Sequence, residues 1–182
     1  MNGLPDAEDL PVSDEMWEVA CLAAQERRCE DPVLLETQRL LSSAGRWDGV
    51  YILSVVAGLE TSVLVDAEDK VFIDWGTAGQ VTLQPPVGGR LPFKLWVHTH
   101  PRFASYWSIT DTNSLSLGAG ILETAMVLGQ PGPKFSANRS LTDVKQGAFL
   151  QDEGPLGQWT DEEPVPWDEW YMNNGIQVEG NE

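Results

Sequence analysis

The chain has 182 residues, with 28 acidic against 11 basic side chains and a formal charge of -17. That length suits one domain with extensions, and 42% apolar residues with eight tryptophans are enough for a packed core, which excludes wholesale disorder. So large an acidic excess argues against nonspecific binding to nucleic acid or to an anionic membrane surface. Lysine occurs only at positions 70, 94, 134 and 145. An acidic, lysine-poor surface fits a halophilic protein, and it fits equally an ordinary domain carrying two acidic tails. No apolar run is long enough to span a bilayer. The N-terminus, MNGLPDAEDLP, lacks the basic and apolar regions of a signal peptide. A cytoplasmic location is expected, or a virion if the chain is viral. Cys21 and Cys29 lack CxxC spacing and read as free structural thiols.

Residues 1–12 read as an acidic leader. Ser13 is a helix cap, with Asp14 and Glu15 in the first turn; Met16, Val19, Ala20, Ala23 and Ala24 recur at helical spacing. This helix ends near Arg27-Arg28, before Asp31-Pro32. Val33, Leu34, Thr37, Leu40 and Leu41 form the stripe of a second helix that Gly45 stops. The period then changes. Val50–Val56 is nearly continuously apolar and predicts a strand, joined by the turn Ala57–Glu60 to a second strand at Thr61–Val65. Val71–Trp75 predicts another after the polar turn Asp66–Asp69, and Val81–Leu83 a short one. Pro85-Pro86 and Gly88-Gly89 mark a loop. Phe93–His98 predicts a strand, Thr110 or Asp111 the start of a helix to about Leu122, and Ala125–Leu128 and Lys134–Asn138 the last strands. Gly118-Ala119-Gly120 has no lysine and follows no strand, so it suggests close packing rather than a phosphate loop. From Asp152 to Glu182 there are nine acidic residues and no basic one, interleaved with Trp159, Trp167, Trp170 and Tyr171. This segment predicts a tail that is either mobile or docked through its aromatics, onto a partner or onto the domain. The expected organisation is a leader and helix over 1–32, a central domain over 33–150 and an acidic Trp-rich tail over 151–182.

Both histidines of the chain fall in His98-Thr99-His100-Pro101, followed by Ser108 and Asp111. Two residues apart on a strand, their side chains point to the same face. Imidazole is the commonest metal-ligand side chain, and a catalytic zinc site takes three protein ligands with a fourth position open. His98, His100 and Asp111 could supply such a site. Ser-x-x-Asp ahead of a helix is also a capping arrangement and needs no metal to be favourable.

The phrase H-x-H-P, six residues, Ser, two residues, Asp resembles the pattern of the JAMM (MPN+) zinc metalloproteases at every fixed position and spacing. The resemblance covers roughly residues 33–142. It implies an α/β fold with a cytidine-deaminase-like mixed sheet flanked by helices. It also implies that His98, His100 and Asp111 hold Zn²⁺, which activates water, and that Ser108 donates a hydrogen bond to the developing oxyanion. Phe103, Tyr106 and Trp107 are then candidate substrate contacts. The implied reaction is hydrolysis of a peptide or isopeptide bond, the substrate being a protein or peptide such as a ubiquitin-like modifier conjugated to lysine.

The family pattern also has a glutamate just before the first hairpin strand, which shuttles a proton to the leaving amine. Asp48 stands in that place if Val50–Val56 is the strand, although it is one methylene short. Glu60 has the right chemistry but falls in the expected turn. Glu36 falls inside a helix. Asp48 is the favoured candidate and Glu60 the rival. An alternative is a weakly active or inactive scaffold whose Trp-rich tail docks into a larger assembly, such as a virion or a multi-subunit complex. A small-molecule zinc hydrolase or deaminase fits less well, because the H-x-E and P-C-x-x-C phrases of zinc deaminases are absent.

Overall fold

Capping residues set the first two helices. In the computed structural model, which describes residues 5, 7–144 and 146–176, the Ser13 hydroxyl accepts from the Met16 amide at the start of α1 (Asp14–Gln25). Asp31 accepts from the Val33 and Leu34 amides and Pro32 fills the first turn of α2 (Pro32–Ser43), so four otherwise orphaned donors per helix are partly met. The chain leaves α1 through Arg27, held at φ 54°, with Arg27 N–H on Ala24 O and Arg28 N–H on Ala23 O. That is a Schellman ending with arginine in the left-handed place usually taken by glycine, a conformation costing about 1–2 kcal/mol for an L-residue with a side chain. Gly45, at φ 70°, follows α2 as expected.

The segment expected as a strand over Val50–Val56 is instead helix α3 (Trp47–Ala57), closed by Gly58 in the left-handed conformation. Its apolar composition reflects burial over most of its surface, Val56 alone being exposed, rather than strand geometry. Val50, Tyr51, Leu53 and Ala57 are all in the core. At Gly49 a Cβ would already lie 3.0 Å from a Leu41 methyl carbon, so α2 and α3 pack closely there.

Five strands form one mixed sheet in the order β2-β1-β3-β4-β5. The hairpin β1 (Thr61–Val65) and β2 (Val71–Trp75) is turned by Asp66, whose carboxylate accepts the Glu68 and Lys70 amides. β1 also runs antiparallel to the long central strand β3 (Phe93–Ala104), which is parallel to β4 (Leu122–Gln130) across the helix α4 (Ile109–Gly118). β5 (Lys134–Ala137) closes the sheet antiparallel to β4. Val81–Leu83, expected as a short strand, is irregular. The observed class is α/β with a mixed sheet.

Alternation along the strands sends two residue sets to two cores. Val63, Val97 and Leu128 meet α1, α2 and α3; Leu64, Trp96 and Ala125 meet Leu115 of α4. The described part of the acidic C-terminal stretch, up to residue 176, contributes to both cores. Trp159 is fully buried in the second and donates its Nε1–H to Leu115 O at 2.9 Å. α5 (Trp167–Asn173) places Trp167, Trp170 and Tyr171 in the first, with Trp167 stacked on Tyr51 at 5.3 Å. α1 contributes Ala20, Ala23 and Ala24 to that same core. Cys21 and Cys29 are free, as expected, and burial pushes the Cys21 thiol up.

Candidate metal centre

Four buried side chains gather where β1, β3 and α4 meet. One donor atom from each of Glu60, His98, His100 and Asp111 lies within 4.8 Å of all the others. Strand geometry accounts for three of them. His98 and His100 leave β3 on the face that carries Trp96, and Trp96 stacks on the His98 ring at 4.5 Å. Ser62 pairs with His98 in the antiparallel register, so two residues further along the pairing Glu60 comes opposite His100. Glu60 is anchored by its own backbone: its N–H donates to Thr77 O at 2.7 Å, and its carbonyl accepts from Gly76 N–H at 2.8 Å. Thr99, between the histidines, points the other way. Its hydroxyl accepts the Thr61 amide at 2.8 Å and meets the Ser54 hydroxyl at 2.5 Å, tying β1, β3 and α3 together directly behind the group.

Asp111 comes from the first turn of α4 through a complete capping box. The Ser108 hydroxyl accepts the Asp111 amide at 3.2 Å, and Asp111 Oδ2 accepts the Ser108 amide at 2.9 Å. The capping arrangement and the four-residue group are therefore the same construction. Capping fixes the rotamer that brings Oδ2 to 3.0 Å from His98 Nε2 and 3.2 Å from His100 Nε2. Glu60 Oε1 stands further back, 3.9 Å from His100 Nε2.

Electrostatics follow from that crowding. Burial is the largest influence on His98 and pushes it down, away from the charged form. Burial lowers His100 too, but its hydrogen bonds to Asp111 and Ala104 and the nearby carboxylates outweigh it, so His100 moves up. For Asp111 burial works upward and is overcome by the two imidazoles and the Ser108 amide, which hold the carboxyl well below the ordinary range. Glu60 is pushed up to about 7, chiefly by burial; His100 opposes the rise and Asp111 adds to it.

The donor set fits a divalent transition-metal ion. Two imidazoles with carboxylates are the ligands such an ion takes from a protein. His100 Nδ1 lies 2.9 Å from Ala104 O, a contact that puts the proton on Nδ1 and leaves the Nε2 lone pair facing the group. His98 is fully buried, and neither of its ring nitrogens has a geometrically satisfied hydrogen bond among the described residues, although Asp111 Oδ2 lies 3.0 Å from Nε2. A buried imidazole left so is costly unless something else takes its lone pair. The four residues could hold a metal ion.

Asp48, the favoured shuttle in the sequence, lies outside this group. It is fully buried in α3, accepts Arg46 Nε and Nη2 at 3.1 and 2.8 Å, and accepts the Tyr171 hydroxyl at 2.9 Å. Glu36 is exposed on α2, near Arg39. The rival Glu60 is the carboxylate brought to the histidines. It immediately precedes β1, the true first hairpin strand. Asp48 precedes no strand, because the segment that follows it is part of α3. Phe103 and Tyr106 are half exposed beside the His100 ring, with centroids 6.2 and 5.1 Å away, and Trp107 lies 5.6 Å from His98.

The chain matches no protein-family model, no curated protein and no solved structure. Among the described residues, no helix is long and apolar enough to cross a membrane.

Proposed function

We propose that this protein is a zinc-dependent peptidase or isopeptidase resembling the JAMM enzymes, with His98, His100 and Asp111 as the metal ligands. The observation that carries the reading is the convergence of four buried donors within 4.8 Å, three of them from an H-x-H-P, Ser, Asp phrase. Zinc held there would supply a Lewis acid that makes water nucleophilic near neutral pH and polarises a carbonyl. Glu60 takes the proton from the attacking water and returns it to the leaving amine. Its distance behind the other three donors supports that role over ligation, since a shuttle must reach the water rather than the metal. Ser108 already uses its oxygen as an acceptor in the capping box, and its hydroxyl proton has no partner among the described residues. That proton is free to meet negative charge developing on a carbonyl oxygen. Phe103, Tyr106 and Trp107 line the approach with aromatic surface suited to an extended peptide.

The substrate class is a peptide or lysine isopeptide bond, a ubiquitin-like conjugate being one such substrate. The scaffold alternative drew its force from a missing glutamate and from a tail free to dock elsewhere. Glu60 beside the histidines and the burial of Trp159, Trp167 and Trp170 in the domain's own cores both weaken it.

Elemental analysis tests the reading. Protein supplied with zinc and desalted should carry about one equivalent, and His100→Ala should carry none. Cleavage of a panel of peptide and lysine-isopeptide substrates should need the metal. Wild-type protein that stays metal-free in the presence of zinc overturns the proposal.

A further inference from the structure

Carboxylates outnumber cations in this chain, and its cations mostly sit against one: Arg28, Arg39, Arg46 and Lys94 are all ion-paired. Arg27 and Arg102 are not. Both are exposed, and among the described residues neither guanidinium has a carboxylate partner. They nevertheless converge on one point. A Cβ built at Gly58 would lie 3.2 Å from Arg102 Nη2 and 3.4 Å from Arg27 Nη2. Two like charges directed at one point of the surface repel unless an anion lies near them.

The convergence is built by the fold. Arg27 occupies a left-handed position where glycine costs less, so its side chain rather than its backbone explains its presence there. One of its donors, Nε–H, is used on Ala57 O at 2.9 Å, at the C-terminal end of α3. That helix end offers about half an elementary negative charge, against two full positive ones. Arg102 has no intramolecular hydrogen bond among the described residues and keeps its whole fork free. Gly58 has no side chain to fill the space in front of the pair. The location is informative as well. Arg102 follows His100 by two residues on β3, about 7 Å along the strand, and Gly58 precedes Glu60 by two.

We propose that Arg27 and Arg102 form a carboxylate-binding subsite beside the metal group, recognising an acidic side chain or a free C-terminal carboxylate of a peptide. A guanidinium fork matches a carboxylate in a bidentate geometry, and two forks facing one space select for it strongly. The subsite's part in substrate choice rests on the peptidase reading; its affinity for carboxylate does not.

The test uses three acetylated tripeptides. Ac-Glu-Gly-Gly-amide carries a side-chain carboxylate, Ac-Gln-Gly-Gly carries a terminal one, and Ac-Gln-Gly-Gly-amide carries none. Each is titrated into the full chain, metal-free and zinc-supplied, following the arginine Nε–Hε resonances by NMR. At least one carboxylate peptide should bind tenfold or more tighter than the amide control and shift the Arg27 and Arg102 signals; which one does so distinguishes the two sources. Arg102→Gln, an exposed change that removes no internal bond, should abolish the preference, and Arg27→Gln should weaken it. A carboxylate bound by zinc instead would keep its preference in Arg102→Gln and lose it without metal, and that result overturns the proposal. So does equal binding of all three peptides, or no measurable binding. Wild-type protein that binds no zinc but keeps the arginine-dependent preference removes the peptidase reading and leaves the carboxylate site standing.

Discussion

Two buried polar clusters, the Arg46–Asp48–Tyr171 clasp and the Glu60–His98–His100–Asp111 group, handle buried charge in opposite ways. In the clasp every strong group is answered. Asp48 accepts two bonds from Arg46 and one from Tyr171, and Arg46 spends further donors on the Glu8 and Asp9 carbonyls at 2.7 and 2.9 Å. One ion pair thus fastens the leader and α5 to the start of α3. In the second cluster two carboxylates and two imidazoles crowd one space, the His98 ring nitrogens have no satisfied hydrogen bond among the described residues, and Glu60 is pushed up to about 7. The saturated cluster is a fastening, whereas the unsaturated one could hold a metal ion. Aspartate at one site and glutamate at the other are similar chemically, and only their neighbours separate the roles.

The sharpest way to break this contrast is Glu60→Gln. It should leave zinc bound and slow cleavage by about 10²–10⁴-fold, the usual worth of a positioned acid–base group. Zinc content and turnover measured on the same sample decide it; loss of zinc would make Glu60 a ligand instead. Asp48→Ala should do the reverse. It strands a buried guanidinium and should cost about 3–5 kcal/mol in urea unfolding, while the protein that remains folded keeps its metal. Zinc itself comes next. At a free concentration about 100 times its Kd it should stabilise the wild type by about 2.7 kcal/mol, read as a rise in Tm, and His100→Ala should show no such rise. A chelator should reverse the effect. The smallest change is a control outside both clusters: Ser13→Ala removes the α1 cap and should cost about 1 kcal/mol, with zinc uptake unchanged.

Local rules carried much of the fold. Ser13, Asp31-Pro32 and Gly45 bounded α1 and α2 because capping is decided within four residues. Asp66–Asp69 announced the β1–β2 turn because an aspartate there can bond its own backbone. The alternation of β3 announced that His98 and His100 share a face. α3 was not legible. A continuous apolar run is the same in a buried strand and in a largely buried helix, and only the packing of α1, α2 and the sheet against it distinguishes them. The C-terminal aromatics were similarly ambiguous, since composition says that Trp159 and Trp167 must be covered but not by what.

What the sequence determined by itself was the donor inventory: two imidazoles two apart, a serine and an aspartate three apart, with spacings that strand and helix periodicity turn into shared faces. What the tertiary structure alone decided was which carboxylate joins them. The antiparallel register of β1 against β3 carries Glu60 to His100, while α5 and Arg46 enclose Asp48. The reason is physical. Periodicity fixes neighbours within an element, but partners from distant segments meet only through strand register and core packing, which no local pattern encodes.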